Sequence, residues 1–401
     1  MVKKTDVLVI GGGVAGSMAA IAAARKGIDV TLIERGGCLG GTWTSALVGA
    51  TLDSGYKDGL LSEFLGRVYN EMKLGSATLF ETQKFILEEM CREAGVNIYL
   101  YSQSCSVERN DRNITAVNVS GKSGLIRFEA ENYIDATGDG DIAFMAGCEF
   151  DYGRSSDNKA QPMSMIALIS GLDDKAKPYI SLPGEPFWDA RKRFIALLDS
   201  VDAEYSIGCP SIQPLSGGLY ILSMNQEYGK SGCNALELTQ ATVNARAEIY
   251  KLVRLLKEKC SDIFSNITLV TTPECIGVRE GRRIKGRYTV NVDDMINGRE
   301  QEDAVCKVRY WVDIHSLEND GGKGFTDDGV KAQPYDIPFR SLLPADLDNL
   351  ILAGRCISGD FYAHASYRVA GNMAPVGEAA GKMAAISCLE NKPVFELKYT
   401  K

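Results

Sequence analysis

Residues 5–16 read TDVLVIGGGVAG: a short β-branched and aliphatic run that stops at three glycines. An unbroken apolar run of this length bounded by glycine is the pattern of a parallel strand buried on both faces. Residues 14–26, VAGSMAAIAAARK, are small and alanine-rich and stop at Gly27, which predicts a helix. A second buried strand, IDVTLIE at 28–34, completes a β-α-β unit. Gly11, Gly13 and Gly16 satisfy the G-x-G-x-x-G spacing at the junction of strand and helix, with Val14 and Ala15 between the last two. Each glycine has its own task. Gly11 permits the tight turn, Gly13 lets backbone approach a pyrophosphate, and Gly16 lets the helix lie close on the strand. The phosphates then meet the N–H groups of a helix N-terminus. Glu34, 18 residues past Gly16 at the end of the second strand, supplies a carboxylate for ribose hydroxyls. This unit alone fits NAD as well as FAD, and a glycine turn in an unrelated α/β protein is the plainer alternative.

Further along, residues 78–94 place Leu79, Phe85, Ile86, Met90 and Ala94 near helical spacing with Gly95 as a stop. Strand-like runs then alternate with the turns NDRN and GKSG and return to an apolar strand ending in ATGDGD at 136–141. From 151 to 335 prolines and longer loops accumulate, followed by a long helix over about 238–260. NLILA at 349–353 is again a short buried strand stopping at glycine, and 374–389 is an alanine-rich helix. At 401 residues the chain exceeds the ~250 that one core usually serves. The reading is therefore α/β: a Rossmann-like cofactor domain, with parallel sheet and β-meander, formed by 1–150 and 336–401 and carrying an inserted α+β substrate domain over 151–335.

Three segments carry a resemblance that the glycine turn lacks by itself. They are ERGGCLGGTWT at 34–44, YIDATGDGD at 133–141 and NLILAGRCISG at 349–359. Together with CIGVREGRRIKGRYTV at 275–290, YDIPFRSLLP at 335–344 and AHASYRVAGNMAPVGEAAGKMAA at 363–385, they span nearly the whole chain. The sequence resembles the bacterial FAD-dependent oxidoreductases of the glutathione-reductase-like superfamily. That resemblance implies FAD as the cofactor. Glu34 and Arg35 lead into Gly40, Gly41 and Thr42, which would wrap the pyrophosphate and ribityl chain. Ala136, Thr137 and Gly138 would form the Ala-Thr-Gly turn, and Gly354 and Arg355 would contact the ribityl-pyrophosphate region. Ser104 would reach the adenine, and the backbone N–H groups of Gly371, Asn372 and Met373 the flavin pyrimidine ring. No second G-x-G-x-x-G opens a helix and no Cys-x-x-x-x-Cys pair follows Glu34, so disulfide-reductase chemistry is not expected.

In a flavoenzyme the cofactor carries the redox step and the protein positions substrate, protons and charge. The chain has two histidines, His315 and His364; His364 follows the third segment and is the expected proton-transfer residue. Arg279, Arg282 and Arg283 surround Glu280, and the planar arginine fork suits a carboxylate or phosphate. Arg279 and Arg368 are the first candidates, while an ion-paired strand edge accounts for at least one of the cluster. Trp43 fits either a ring-covering or a core position. No His, Cys and carboxylate cluster has metal-ligand spacing, and no metal or covalent flavin bond is expected. The expected activity is dehydrogenation or reduction of a small polar substrate; a monooxygenase or oxidase, and an electron-carrier subunit, are the alternatives.

A net charge of −8 with dispersed Lys and Arg argues against a nucleic-acid partner. Eleven cysteines without Cys-x-x-Cys spacing favour a reducing compartment over a disulfide framework. No segment has the ~20 apolar residues of a membrane span, and no signal-peptide core precedes the first strand. The expected setting is cytoplasmic, with a small-molecule substrate, an unidentified electron donor or acceptor, and no membrane partner; homo-oligomerisation stays open.

Overall fold

A computed structural model describes residues 1–318 and 324–400. The first strand, β1 (Val2–Ile10), is followed by helix α1 (Val14–Ala24) and β2 (Val30–Ile33). Helices α2 (Leu60–Leu74) and α3 (Leu79–Ala94) lead to β3 (Asn97–Tyr99) and to the meander β4 (Gln103–Asn110), β5 (Asn113–Gly121) and β6 (Gly124–Asp135). These strands and Leu350–Leu352 make one seven-stranded sheet. β1 lies parallel to β2 on one side and β6 on the other, β3 extends the sheet beyond β2, and Leu350–Leu352 pairs parallel to the end of β6. Register brings Ile10, Ile33, Tyr99, Asp135 and Leu352 to a common edge. Every parallel strand therefore releases its loop on the same side, the edge at which open α/β sheets bind ligands.

All eleven residues of α1 are buried, because it is covered by the sheet on one face and by the helix Ala370–Glu390 on the other. The small residues permit this. A Cβ on Gly377 would stand 2.0 Å from the Ala15 carbonyl oxygen, and one on Gly381 2.0 Å from that of Ala19. Backbone meets backbone over one full turn, which only glycine on one helix and alanine on the other allow. In α3 the buried face is Phe80, Ile86, Leu87, Met90 and Cys91, whereas Phe85 projects outward.

A second apolar core is built from a four-stranded antiparallel sheet, in the order Thr268–Thr271, Ile166–Ser170, Tyr220–Ser223, Ser211–Pro214, and the helix Ala235–Lys259. Its apolar members run from Met163 to Ile276. Apolar residues from Ile284 onward, among them Val290, Val305, Val308 and Tyr335, join the first core. The 151–335 segment thus divides its apolar side chains between both cores, since the short strand Ala304–Val308 pairs with Tyr335–Pro338 against the cofactor-side helices.

Candidate functional site

The loops leaving the common sheet edge surround one cavity. Gly11 has φ +101° and a Cβ there would meet the Ala136 carbonyl oxygen at 2.4 Å. Ser17 makes the first helical bond of α1, to the Gly13 carbonyl at 2.9 Å. The N–H groups of Val14, Ala15 and Gly16 are the ones that a helix start leaves to an anionic ligand. Val14 and Ala15 line the cavity with Gly11 and Gly13; Gly16 is instead pressed against Gly11.

Glu34 fastens this turn. Its carboxylate accepts from the Gly12 N–H at 2.7 Å and the Gly36 N–H at 2.6 Å, so it shapes two loops while facing the cavity beside Arg35. Gly40 donates its N–H to the Gly12 carbonyl at 2.8 Å, and a Cβ on Gly41 would lie 3.0 Å from the Gly13 Cα. The two glycine segments are thereby laid side by side, with Gly41 and Thr42 in the wall and Gly40 behind it. Ser102 donates its N–H to the Glu34 carbonyl at 2.9 Å, bringing Ser102, Gln103 and Ser104 to the same end of the cavity.

The Ala136-Thr137-Gly138 turn hangs on Asp135. That carboxylate accepts from the Thr137 N–H at 3.1 Å, the Thr137 hydroxyl at 2.7 Å and the Ala143 N–H at 2.9 Å. Burial nevertheless outweighs these bonds and pushes Asp135 up to about 6, from 3.8. The native state then holds a proton that the unfolded chain has released, so ionising Asp135 costs stability as pH rises through that window. We expect wild-type stability to fall by about 2 kcal/mol relative to Asp135→Asn between pH 4 and 7, read from urea melts at each pH. A constant difference across that range rejects the assignment.

Gly354 and Arg355 close the cavity from the Leu350–Leu352 strand, with the Arg355 guanidinium against Gly138 and 2.9 Å from an Asp139 carboxylate oxygen. Arg368, Ala370 and Met373 also line the cavity. The N–H groups expected to face a ring there are engaged in the protein. Gly371 donates to the Leu52 carbonyl at 3.1 Å, and Asn372 and Met373 both donate to that of Val369 at 2.9 and 3.1 Å. Gly371 and Asn372 lie behind the wall, so the helix start meets the cavity through Ala370 and Met373 instead.

The model of one protein family, described as FAD dependent oxidoreductase, matches residues 6–401. The chain belongs to that family. FAD is accordingly the cofactor of this enzyme, and the glycine cradle, the helix start and the Glu34 carboxylate are suited to it. Searching by sequence finds no match among curated proteins. Among solved structures the oxidoreductase is similar to a geranylgeranyl bacteriochlorophyll reductase-like protein from Thermoplasma acidophilum, at 14% identity and a TM-score of 0.47 over 98% of this chain and 80% of that one. It is also similar to the flavin-dependent brominase Bmp2, at 13% identity and a TM-score of 0.49 over 96% and 80%. A third similar structure is p-nitrophenol 4-monooxygenase PnpA from Pseudomonas putida DLL-E4, at 12% and 0.47 over 99% and 83%.

The residues expected to serve chemistry in the enzyme are placed very differently from one another. His364 lies in the helix Phe361–Tyr367, fully buried, absent from the cavity wall and edge-on to the Tyr367 ring. Neither ring nitrogen has a hydrogen-bond partner among the described residues. Burial, with Arg283, Arg368 and Arg355 nearby, holds it well below the usual histidine range. The ring is therefore neutral and does not belong to the cavity wall, so nothing in its position supports the proton-transfer expectation for His364. Arg368 does line the cavity; its Nη2 donates to the Asp313 carbonyl at 2.8 Å, while its buried Nη1 has no partner among the described residues. Arg279 stands just behind the wall residue Val278 and donates to the Pro162 carbonyl at 2.7 Å. Arg282 and Arg283 are structural: Arg282 pairs with Asp141 at 2.9 Å, and Arg283 pairs with the buried Glu280. Trp43 is a core residue, stacked on Phe64 at 4.7 Å.

Sequence reasoning missed Ser45, Ala46, Asp139, Asp141, Cys275, Ile276 and Ala370 in the wall. Cys275 arrives from the second domain because its N–H donates to the Ser45 carbonyl at 3.1 Å. Among the described residues no group of His, Cys, Asp and Glu is arranged to hold a metal, and no helix is long and apolar enough to cross a membrane.

Proposed function

We propose that the enzyme holds FAD in the glutathione-reductase-like manner and transfers a hydride between it and a small polar organic substrate at the Arg368 end of the cavity. The observation that carries this reading is the single continuous wall from Glu34, through the two glycine segments, to Arg368 and Met373. In it Glu34 would hold the adenosine ribose, Ser104 would lie by the adenine, and the α1 start with Gly41 and Thr42 would hold the pyrophosphate. When bound, FAD supplies a hydride donor or acceptor at its N5. The chain's own contribution is to orient substrate and to offset charge through Arg368, backed by Arg279. The domain around the second core supplies Cys275, Ile276 and Val278 to the wall and so helps exclude water.

The purified protein should show flavin absorbance. FAD added to flavin-free protein at a hundredfold excess over its Kd should raise stability by about 2.7 kcal/mol, measured as a shift in thermal melting. Anaerobic titration against a panel of small polar metabolites should bleach the flavin with at least one of them. Substrate-coupled oxygen uptake without anaerobic bleaching would transfer the protein to the oxygen-using alternative, and absence of any response from the flavin to FAD addition or to the panel would overturn the proposal.

A further inference from the structure

The arginines near the cavity differ in how their charge is balanced. Arg283 is paired with Glu280, Arg282 with Asp141 at 2.9 Å, and Arg355 with Asp139 at 2.9 Å. Arg279 and Arg368 have a single carboxylate in common reach, Asp313, 3.8 Å from the Arg368 Nη2. Glu280 also faces Arg368 but is occupied by Arg283 and by the Gln161 N–H at 2.9 Å. Two cations and one anion leave one positive charge over among the described residues, and a buried charge without a counterion is costly.

His315 does not alter that count. The Tyr228 hydroxyl lies 2.9 Å from the Ser206 carbonyl and 2.6 Å from the Gln226 Oε1, and the Gln226 amide lies 3.0 Å from the His315 Nδ1. The His315 Nε2 lies 3.5 Å from an Asp313 carboxylate oxygen. Burial and the Arg279 charge hold this histidine down at about 4, so it is neutral at pH 7. His315 therefore packs against Asp313 beside Arg368 without adding a charge.

We propose that Arg279 and Arg368 form a subsite for the single carboxylate of an organic acid substrate. The proposal rests on the reading of this cavity as the flavin and substrate site. Three observations support it independently of charge alone. Arg368 lines the cavity, and among the described residues its buried Nη1 has no partner and the one hydrogen bond of the Arg279 side chain goes to the Pro162 carbonyl. One delocalised negative charge completes the balance, and the planar guanidinium fork matches the two oxygens of a carboxylate. A phosphate dianion would reverse the net charge beside Asp313, which selects the monoanion. The same monoanion chemistry could come from a substrate carboxylate or from a reduced flavin ring, and the subsite is assigned to the substrate.

The test uses the oxidised holoenzyme, titrated with acetate, pyruvate and benzoate and with the neutral amides acetamide and benzamide, followed by flavin absorbance and by calorimetry. At least one carboxylate should bind, its amide should not, and Arg279→Met should weaken that carboxylate by roughly tenfold to a hundredfold. Arg279→Lys, which keeps the charge and loses the fork, should weaken it less and guards against misfolding of the methionine variant; native flavin content confirms folding. The inference is overturned if none of the carboxylates binds oxidised enzyme, which would leave the pair to the reduced flavin. It is equally overturned if amide and acid bind alike, or if well-folded Arg279→Met binds as wild type does. Protein purified without flavin would defeat the reading of the cofactor, and calorimetry with the same acids would still decide this one.

Discussion

The Gly16→Val variant is expected to accumulate as insoluble or unfolded chain that takes up no FAD at any concentration. A Cβ at residue 16 would lie 1.8 Å from the Gly11 carbonyl oxygen and 2.9 Å from the Ala136 Cβ. Neither obstacle can swing aside. The Gly11 carbonyl belongs to the turn, and Ala136 follows β6, whose last residue Asp135 is in register with Ile10. Relief would require α1 to lift from the sheet, and α1 is held from its other side by Gly377 and Gly381. Overpacking that moves backbone costs 1–3 kcal/mol in ordinary cores and more where nothing yields, against a total stability of about 5–15 kcal/mol. Soluble yield, far-ultraviolet circular dichroism and flavin content measure the outcome; a soluble, flavin-loaded Gly16→Val protein would show that the contact between α1 and β1 is not as drawn.

Three residues earlier the same substitution should act differently. Gly13→Val is expected to fold with near-native melting yet carry little or no flavin. Gly13 has φ −70° and ψ −169°, a conformation open to any residue, and an added Cβ there meets nothing within 4 Å. That open space is the cavity itself, lined there by Val14 and Gly41, where on the proposed reading the pyrophosphate would pass. Branched methyl groups in that path would displace the phosphates from the α1 N-terminus, a loss of roughly 3 kcal/mol or more and thus at least about a hundredfold in affinity. Equilibrium dialysis with FAD, set beside a melting curve of the flavin-free protein, separates binding from folding. Unfolding of Gly13→Val, or unchanged flavin content, would contradict the division of labour between the two glycines.

The difference between residues 13 and 16 was legible in the sequence, because spacing within a strand-turn-helix junction follows from backbone geometry alone. Glu34 followed from the same β-α-β geometry, whereas the 136–138 turn and Gly354-Arg355 came through the family resemblance; all of them line the cavity. Residues that reach the cavity through tertiary pairing were not legible. Ser45 and Cys275 meet through a loop-to-loop hydrogen bond, and no local pattern announces it. The two histidines show the same limit from the other side. His364 sits in a conspicuous segment, but only the packing of its short helix shows that its ring faces the interior while Arg368, four residues on, reaches the cavity. His315 sits in an ordinary stretch, and its network with Asp313 and Gln226 joins residues about ninety positions apart. The residues after 284 read as a continuation of the second domain, and their apolar side chains join the first core through tertiary packing that no local pattern announces.

The clasp of Gly377 and Gly381 on Ala15 and Ala19 has a consequence for the order of events during synthesis. α1 is made more than 350 residues before the helix that covers it, which at 5–20 residues per second is a wait of roughly 20–70 s. Throughout that interval one apolar face of α1 lacks its cover, while the core spanning Met163 to Ile276 has all its members and can close on its own. The core spanning Met163 to Ile276 therefore has the means to close before the cofactor cradle, which waits until both of its arms exist.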